Sequence, residues 1–116
     1  MRKKLLENKI AVITGASKGI GREIALCFAE EGTSLILVSL QDQKRLHEVQ
    51  KLTNEKGIKS IMLNGDVSNI DFCDTIYKET NRQFHGADIL VNCAGIIART
   101  SVEDMTLEEW HNVIDV

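Results

Sequence analysis

Short apolar runs alternate along this chain with amphipathic stretches in which apolar residues recur every three or four positions. Ile10 to Ile13 is typical of a first strand, and Leu35 to Leu40, broken only by Ser39, of a second strand covered on both faces. Ser60 to Leu63 and Asp88 to Asn92 have the pattern of two further strands. Alternation of this kind predicts an α/β fold of βαβ units around a parallel sheet.

The stretches between these strands predict three helices, each with one apolar face. The first face comprises Ile20, Ile24, Cys27 and Phe28, the second Leu46, Val49 and Leu52, and the third Phe72, Cys73, Ile76, Tyr77, Thr80 and Phe84. Gly32 and Gly57 follow the first two helices, where C-terminal glycines are common. Ser68 and Asp71 have capping-box spacing at the start of the third.

A fourth amphipathic stretch starts at the capping-box pair Thr106 and Glu109. Its apolar side comprises Trp110, Val113 and Ile114. The sequence ends at Val116 with this apolar side still continuing and without a capping glycine, which predicts a truncated domain.

Composition favours one domain that handles a small molecule. The 116 residues are about the size of a single domain, and 14 Lys and Arg against 17 Asp and Glu give a formal charge of -3. No run of one charge suggests nucleic acid or a membrane surface as partner. Residues 1–9 lack an uninterrupted apolar segment, so we expect no signal peptide, and three widely spaced cysteines favour reduced thiols and a cytoplasmic location.

A glycine-rich loop, Thr14-Gly15-Ala16-Ser17-Lys18-Gly19-Ile20-Gly21, lies between the first predicted strand and helix. Glycine at 15 allows a tight turn, at 19 a close approach of the backbone to a pyrophosphate, and at 21 close packing of helix on strand. The start of the helix directs free N–H groups and the positive end of its dipole towards a phosphate. A plain glycine turn is the alternative, which the flanking strand and helix disfavour.

The spacing TGxxxGxG resembles that of the classical short-chain dehydrogenases/reductases, in particular the 3-oxoacyl-carrier-protein reductase-like members. Asp66-Val67 and Asn92-Cys93-Ala94-Gly95 follow the third and fourth strands, where this family has Asp-Val and Asn-Asn-Ala-Gly. The resemblance extends from Asn8 to Val116. It implies the amino-terminal half of a Rossmann-type doubly wound parallel sheet, with strand order 3-2-1-4, as a partial dinucleotide-binding domain over residues 1–116.

The resemblance also implies a set of cofactor-binding residues at the carboxyl ends of the strands. They are Gly15, Ser17, Lys18, Gly19, Ile20, Gly21, Leu40, Gln41, Asp66, Val67, Asn92, Ala94 and Gly95. In the family, Asp66 would accept a hydrogen bond from the adenine amino group, Val67 would cover the ring, and Asn92 would brace the central strands. Taken alone, Asp66 could equally form an Asx turn and Asn92 could simply end a strand.

Preference between the two nicotinamide cofactors depends on the end of the second strand. An acidic residue there would accept the ribose hydroxyls of NAD, but Leu40 and Gln41 occupy that place. Asp42 is better interpreted as a helix N-cap. Lys18 lies where NADP-preferring relatives carry a basic residue for the 2′-phosphate, although it could also be a solvated loop lysine. NADP(H) is therefore favoured over NAD(H).

Family members transfer hydride between nicotinamide and a carbonyl or alcohol carbon, using a Tyr-x-x-x-Lys pair. The sequence has one tyrosine, Tyr77, and Asn81 follows it at the lysine spacing. We therefore expect no catalytic residue and no turnover in this chain. A longer parent would be a homo-oligomeric enzyme acting on a small carbonyl or alcohol substrate. A non-catalytic dinucleotide-binding or sensing module, or a remnant that does not fold, are the alternatives.

Overall fold

The computed structural model describes residues 4–93, which form a parallel four-stranded sheet with helices on both faces. The strands are β1 (Ile10–Thr14), β2 (Ser34–Ser39), β3 (Ser60–Asn64) and β4 (Ile89–Asn92). The helices are α1 (Gly19–Glu30), α2 (Gln43–Asn54) and α3 (Ile70–Phe84). The strand order is β3-β2-β1-β4, which confirms the α/β doubly wound half-sheet expected from the sequence. The fourth predicted helix, over residues 106–116, lies outside the described residues.

The sheet is most deeply buried along β2, which pairs with β1 on one side and β3 on the other. Ile36 stands opposite Val12 of β1 and Ile61 of β3. Leu35 to Val38 are almost completely buried, as a strand covered on both faces should be. Removal of this apolar run from water favours the layered fold.

Alternate residues of β1 and β2 point to two separate cores. Ala11, Ile13, Leu35 and Leu37 pack with α1 and α2 on one face. Val12, Ile36 and Val38 pack on the other face with Phe72, Ile76 and Phe84 of α3. The sheet is therefore covered by two helices on one side and one on the other, and the carboxyl ends of all four strands meet at one edge.

The predicted apolar face of α1 was partly wrong. Its buried residues are Gly21, Ala25 and Ala29, whereas Ile20 is 75% exposed and Cys27 is also exposed. Small residues at i, i+4 and i+8 let the helix approach the sheet closely, which leaves the larger side chains on its flanks. Only Ile24 and Phe28 of the predicted set pack against the core, and both are partly buried.

The predicted faces of α2 and α3 also needed adjustment. Leu46 and Val49 of α2 are buried as expected, but Thr53 rather than Leu52 completes the stripe. On α3, Tyr77 is 66% exposed and Cys73 is exposed. Both lie one residue beyond the positions that face the sheet, and this 100° rotation takes them out of the core.

The capping box predicted at the start of α3 is not formed by Ser68. The N-cap is Asn69, whose Oδ1 accepts a hydrogen bond of 3.1 Å from the Phe72 N–H. The Ser68 hydroxyl instead donates to Asp66 Oδ1 at 2.7 Å. None of the helices in residues 4–93 has the length and apolar character needed to cross a membrane.

Candidate functional site

Hydrogen bonds join the carboxyl ends of β1, β2 and β3 into one continuous edge. The Gly65 amide, directly after β3, donates to the Ser39 carbonyl at 2.9 Å, and the Ala16 amide, after β1, donates to the Val38 carbonyl at 3.0 Å. These bonds bring the segment after β3 beside the end of β2, and the glycine-rich loop beside β2. The predicted site residues of these three segments therefore line one edge of the sheet.

The glycine-rich loop turns sharply between β1 and α1. Gly15 and Gly19 have φ angles of +63° and +60°, which glycine adopts without steric cost. A Cβ on Gly21 would collide with the Gly15 carbonyl group and would lie 2.8 Å from its carbon atom. Gly21 therefore lets the first turn of α1 pack directly on the backbone of the loop.

The first turn of α1 has the features of an anion cradle. Its N-cap residue, Lys18, is extended at φ -157° and makes no side-chain capping hydrogen bond. The N–H groups of a helix's first turn have no partner within the helix, so they are available to a ligand. A Cβ on Gly19 would meet no atom within 4 Å, which leaves open space beside these amides. The arrangement suits a phosphate or pyrophosphate group.

Side chains of the loop differ in their surroundings. Ser17 is buried at 7% exposure, whereas Lys18 is exposed. Ile20 is 75% exposed although it is a large apolar residue. Leu40, at the end of β2, is likewise 52% exposed, and Gln41 beside it is exposed. Apolar side chains exposed on the rim of a polar cradle are common in sites that bind a mixed polar and aromatic ligand.

The turn after β2 includes Asp42, the first acidic residue that follows this strand in the sequence. The Ser39 hydroxyl accepts a hydrogen bond of 3.0 Å from the Asp42 amide. The Asp42 side chain caps α2 by accepting from the Arg45 N–H at 3.3 Å, and its other oxygen lies 3.7 Å from the Arg45 guanidinium. The N-cap interpretation of Asp42 is confirmed. Ser39, which was not among the predicted site residues, stabilises this turn through its hydroxyl.

After β3, Asp66 and Val67 form a turn stabilised by Ser68. Asp66 Oδ1 accepts from the Ser68 amide at 2.9 Å and from the Ser68 hydroxyl at 2.7 Å. The hydroxyl, and after it the amide, holds the pKa of the Asp66 carboxyl below its ordinary value, so the exposed carboxylate stays charged. Val67 is partly buried and packs with the core beneath α3.

At the end of β4, Thr14 connects β1 to its neighbouring strand β4. Its hydroxyl donates to Asn92 Oδ1 at 2.8 Å and accepts from the Cys93 amide at 3.1 Å. Asn92 is thereby fixed to β1 across a sequence separation of 78 residues. Thr14 was not among the predicted site residues, although its place at the head of the TGxxxGxG motif could have identified it. The predicted site residues Ala94 and Gly95 lie outside the described part of the chain.

Other chemistry is not apparent in residues 4–93. They contain no group of three or more His, Cys, Asp or Glu side chains arranged to hold a metal ion. Tyr77 lies near the middle of α3 and is mostly exposed, and Asn81 follows it one helical turn later. The described part of the site has a geometry that suits a phosphate group, and it includes no acid/base pair.

Comparison with known proteins matches nearly the whole chain. A family model for short chain dehydrogenase covers residues 9–116. General stress protein 39 of Bacillus subtilis is 35% identical over 107 residues, which cover 91% of this chain and 37% of that protein. The 3-oxoacyl-acyl-carrier-protein reductase FabG of Staphylococcus epidermidis is 38% identical over 108 residues, or 93% of this chain and 44% of the relative.

An uncharacterized oxidoreductase of Thermotoga maritima is 32% identical over 112 residues, which cover 97% of this chain and 43% of that protein. The chain thus spans less than half the length of these curated relatives. The matched region includes all the strand ends described above.

Proposed function

Because this chain belongs to the short-chain dehydrogenase family, we propose that residues 1–116 are the NADP(H)-binding portion of an oxidoreductase. When bound, the nicotinamide cofactor supplies or receives a hydride at C4, with a carbonyl or alcohol compound as the other reactant. The names of two relatives, a 3-oxoacyl-acyl-carrier-protein reductase and an uncharacterized oxidoreductase, support this reaction class.

The observation that carries the proposal is the open, uncapped start of α1 beside the glycine-rich loop. Backbone amides, the helix dipole and the space over Gly19 all favour a pyrophosphate there. Around it, the proposed cofactor contacts are those predicted from the sequence. They are Gly15, Ser17, Lys18, Gly19, Ile20, Gly21, Leu40, Gln41, Asp66, Val67, Asn92, Ala94 and Gly95.

Two features support NADP(H) over NAD(H). The Asp42 carboxylate is engaged by the start of α2 and by Arg45, so it is not available to the ribose hydroxyls of NAD. Lys18 is exposed at the start of α1, two residues after Ala16, whose amide bonds the Val38 carbonyl near the end of β2, and its ammonium group suits a 2′-phosphate. The proposed preference for NADP(H) therefore depends on the interaction of the 2′-phosphate with Lys18.

Residues 1–116 contain no Tyr-x-x-x-Lys pair. We therefore propose that this portion binds the cofactor without turning over substrate by itself. Binding of a small carbonyl or alcohol substrate and homo-oligomer formation are proposed for a longer parent protein, and a cytoplasmic location belongs to the same proposal.

The test is a titration of the purified chain with NADPH and with NADH, followed by nicotinamide fluorescence. Saturable binding that is tighter for NADPH is expected, and Lys18→Gln should remove most of that difference. Lys9→Gln is the matched control, since it makes the same charge change at an exposed position before β1, at the opposite edge of the sheet.

Absence of binding to both cofactors would contradict the proposed function. Equal affinities that do not change in Lys18→Gln would contradict only the preference for NADP(H). Carbonyl-dependent oxidation of NADPH by the chain alone would contradict the proposed lack of turnover.

A further inference from the structure

Gly65 occupies a place where any side chain would collide with α3. An ideal Cβ on Gly65 would lie 2.5 Å from Cε1 and 2.7 Å from Cγ of the Phe72 ring. The backbone of Gly65 is not among those with positive φ, so alanine could adopt its conformation. Glycine is required here for the space that Phe72 fills, and not for a special turn.

The same part of α3 is tied to the turn after β3 by hydrogen bonds. The Phe72 amide donates to Asn69 Oδ1 at 3.1 Å, and the Asn69 amide donates to the Asp66 carbonyl at 3.0 Å. The Cys73 thiol donates to the Val67 carbonyl at 3.1 Å. Phe72 and Val67 also pack in the same core cluster. The backbone position of the Asp66–Val67 turn is therefore set largely by the first turn of α3.

We propose that Phe72 is a positioning residue for the adenine half of the cofactor and that it acts through Gly65. Its ring lies against the Gly65 backbone. It thereby fixes the position of the following Asp66–Val67 turn relative to the end of β2. This inference rests on the proposed function, because Asp66 and Val67 hold the adenine only if the site binds a dinucleotide. Phe72 itself makes no contact with the ligand.

A double-mutant cycle with Gly65→Ala, Phe72→Leu and the combined variant tests the coupling. The probe is adenosine 2′,5′-bisphosphate, which has the adenine half of NADP and no nicotinamide, with affinity measured by calorimetry. Gly65→Ala is expected to weaken binding about tenfold, because the methyl group displaces either the ring or the turn. Phe72→Leu should weaken it about threefold through loss of the ring contact.

The combined variant is expected to bind more tightly than Gly65→Ala alone, because the smaller leucine leaves room for the new methyl group. If Phe72 only stabilised the fold, the two losses of affinity would multiply, and the combined variant would bind more weakly than Gly65→Ala alone. Phe84→Leu is the matched control: it makes the same change on the same core-facing side of α3, about three turns along the helix from Phe72. It should lower the melting temperature without changing affinity for the bisphosphate.

Each outcome bears on a different part of the inference. Multiplying losses in the combined variant, or equal weakening by Phe84→Leu, would overturn the role of Phe72 while leaving the proposed function intact. Failure of the unmodified chain to bind either NADPH or the bisphosphate would overturn both. If Gly65→Ala does not fold, the comparison of Phe72→Leu with Phe84→Leu decides the question.

Discussion

At the scale of single residues, Gly19 and Gly57 form a natural pair for separating backbone strain from ligand binding. Both have positive φ, +60° and +89°, and an added Cβ would meet no atom within 4 Å at either position. Gly19 lies in the proposed phosphate cradle, whereas Gly57 follows α2 and precedes β3 at the opposite edge of the sheet. Their steric situations match, but their proposed functions differ.

Gly19→Ala and Gly57→Ala are each expected to lower the free energy of unfolding by roughly 1 kcal/mol, because alanine is strained at positive φ. Only Gly19→Ala should weaken NADPH binding, by about tenfold or more, since its methyl group occupies the space beside the first amides of α1. Urea unfolding and fluorescence titration measure the two effects. Similar losses of affinity in both variants would show that strain alone accounts for the result.

Thr14 gives a second prediction at this scale. Thr14→Val keeps the shape of the side chain but removes the hydroxyl that joins Asn92 and Cys93. It leaves two polar groups at the end of β4 without this partner, so we expect a loss of roughly 1–2 kcal/mol in unfolding free energy. Thr14→Ser keeps the hydroxyl and should lose less than Thr14→Val in the same urea experiment. A larger loss in the serine variant would point to methyl packing instead.

The lowered pKa of Asp66 predicts a specific response to acid. The pKa of Asp66 is lower in the folded state than in the unfolded state. The Ser68 hydrogen bonds therefore stabilise the fold at pH values above the unfolded-state pKa, and this stabilisation is lost as the pH falls through the folded-state pKa. Ser68→Ala removes the hydroxyl but keeps the amide, so the Asp66 pKa should rise towards its ordinary value without fully reaching it. NMR titration of the carboxyl carbon measures this pKa, with Ser68→Thr as the control that retains a hydroxyl.

At the scale of elements, the start of α3 depends on Asn69. Asn69→Ala removes the acceptor of the Phe72 amide and should cost about 1 kcal/mol of unfolding free energy. Asn69→Asp retains a capping oxygen and should cost much less, because a negative charge also favours a helix N-terminus. Chemical unfolding of both variants distinguishes them. Equal destabilisation would mean that the amide NH₂ of Asn69, and not its oxygen, is the important group.

Hydrophobic periodicity was sufficient to predict every described strand to within one residue at each end and the presence of the three described helices, but not the full set of residues that each helix buries. On α1 the large residues Ile20 and Cys27 suggested the wrong stripe, because Ala25 and Ala29 carry little hydrophobic signal yet permit the closest approach to the sheet. The start of α3 was similar: both Ser68 and Asn69 can cap a helix, and only the fold shows that Ser68 is used by Asp66. Packing distance and competition for one hydrogen bond are not encoded in a local pattern.

At the scale of the whole molecule, strand order was predicted from family resemblance and not from periodicity, which cannot say that β4 returns beside β1. The site residues also divide into those that a local sequence motif identifies and those that it does not. The glycine motif identified the loop, because its function requires particular residues at fixed spacing. Thr14 and Gly65 were missed, since their importance comes from contacts with Asn92 and Phe72, and the former is 78 residues away along the chain. The role of Gly65 becomes visible only when the sheet is assembled, whereas the place of Thr14 at the head of the glycine motif was a signal in the sequence.

Because the proposed cofactor contacts come from the ends of four strands, the binding site exists only in the assembled sheet. NADPH should therefore stabilise the entire fold, by roughly 2.7 kcal/mol when its concentration is one hundred times the Kd. The increase should appear as a parallel shift of the urea unfolding curve, with the same slope, since the surface exposed on unfolding changes little. NADH at the same concentration should stabilise the fold less. The difference between the two stabilisation free energies should equal RT times the natural logarithm of the ratio of the two affinities, when both ligands are in excess of their Kd.

Gly57→Ala is the control for this linkage, because it should lower the starting stability while keeping the full ligand-dependent shift. Gly21→Ala should instead lose the shift, since a methyl group there would force the first turn of α1 away from the loop backbone. If NADPH binds the unmodified chain but does not shift its unfolding, the ligand must bind the unfolded state equally well. Binding would then need only a local segment, which is incompatible with a site built from four strand ends.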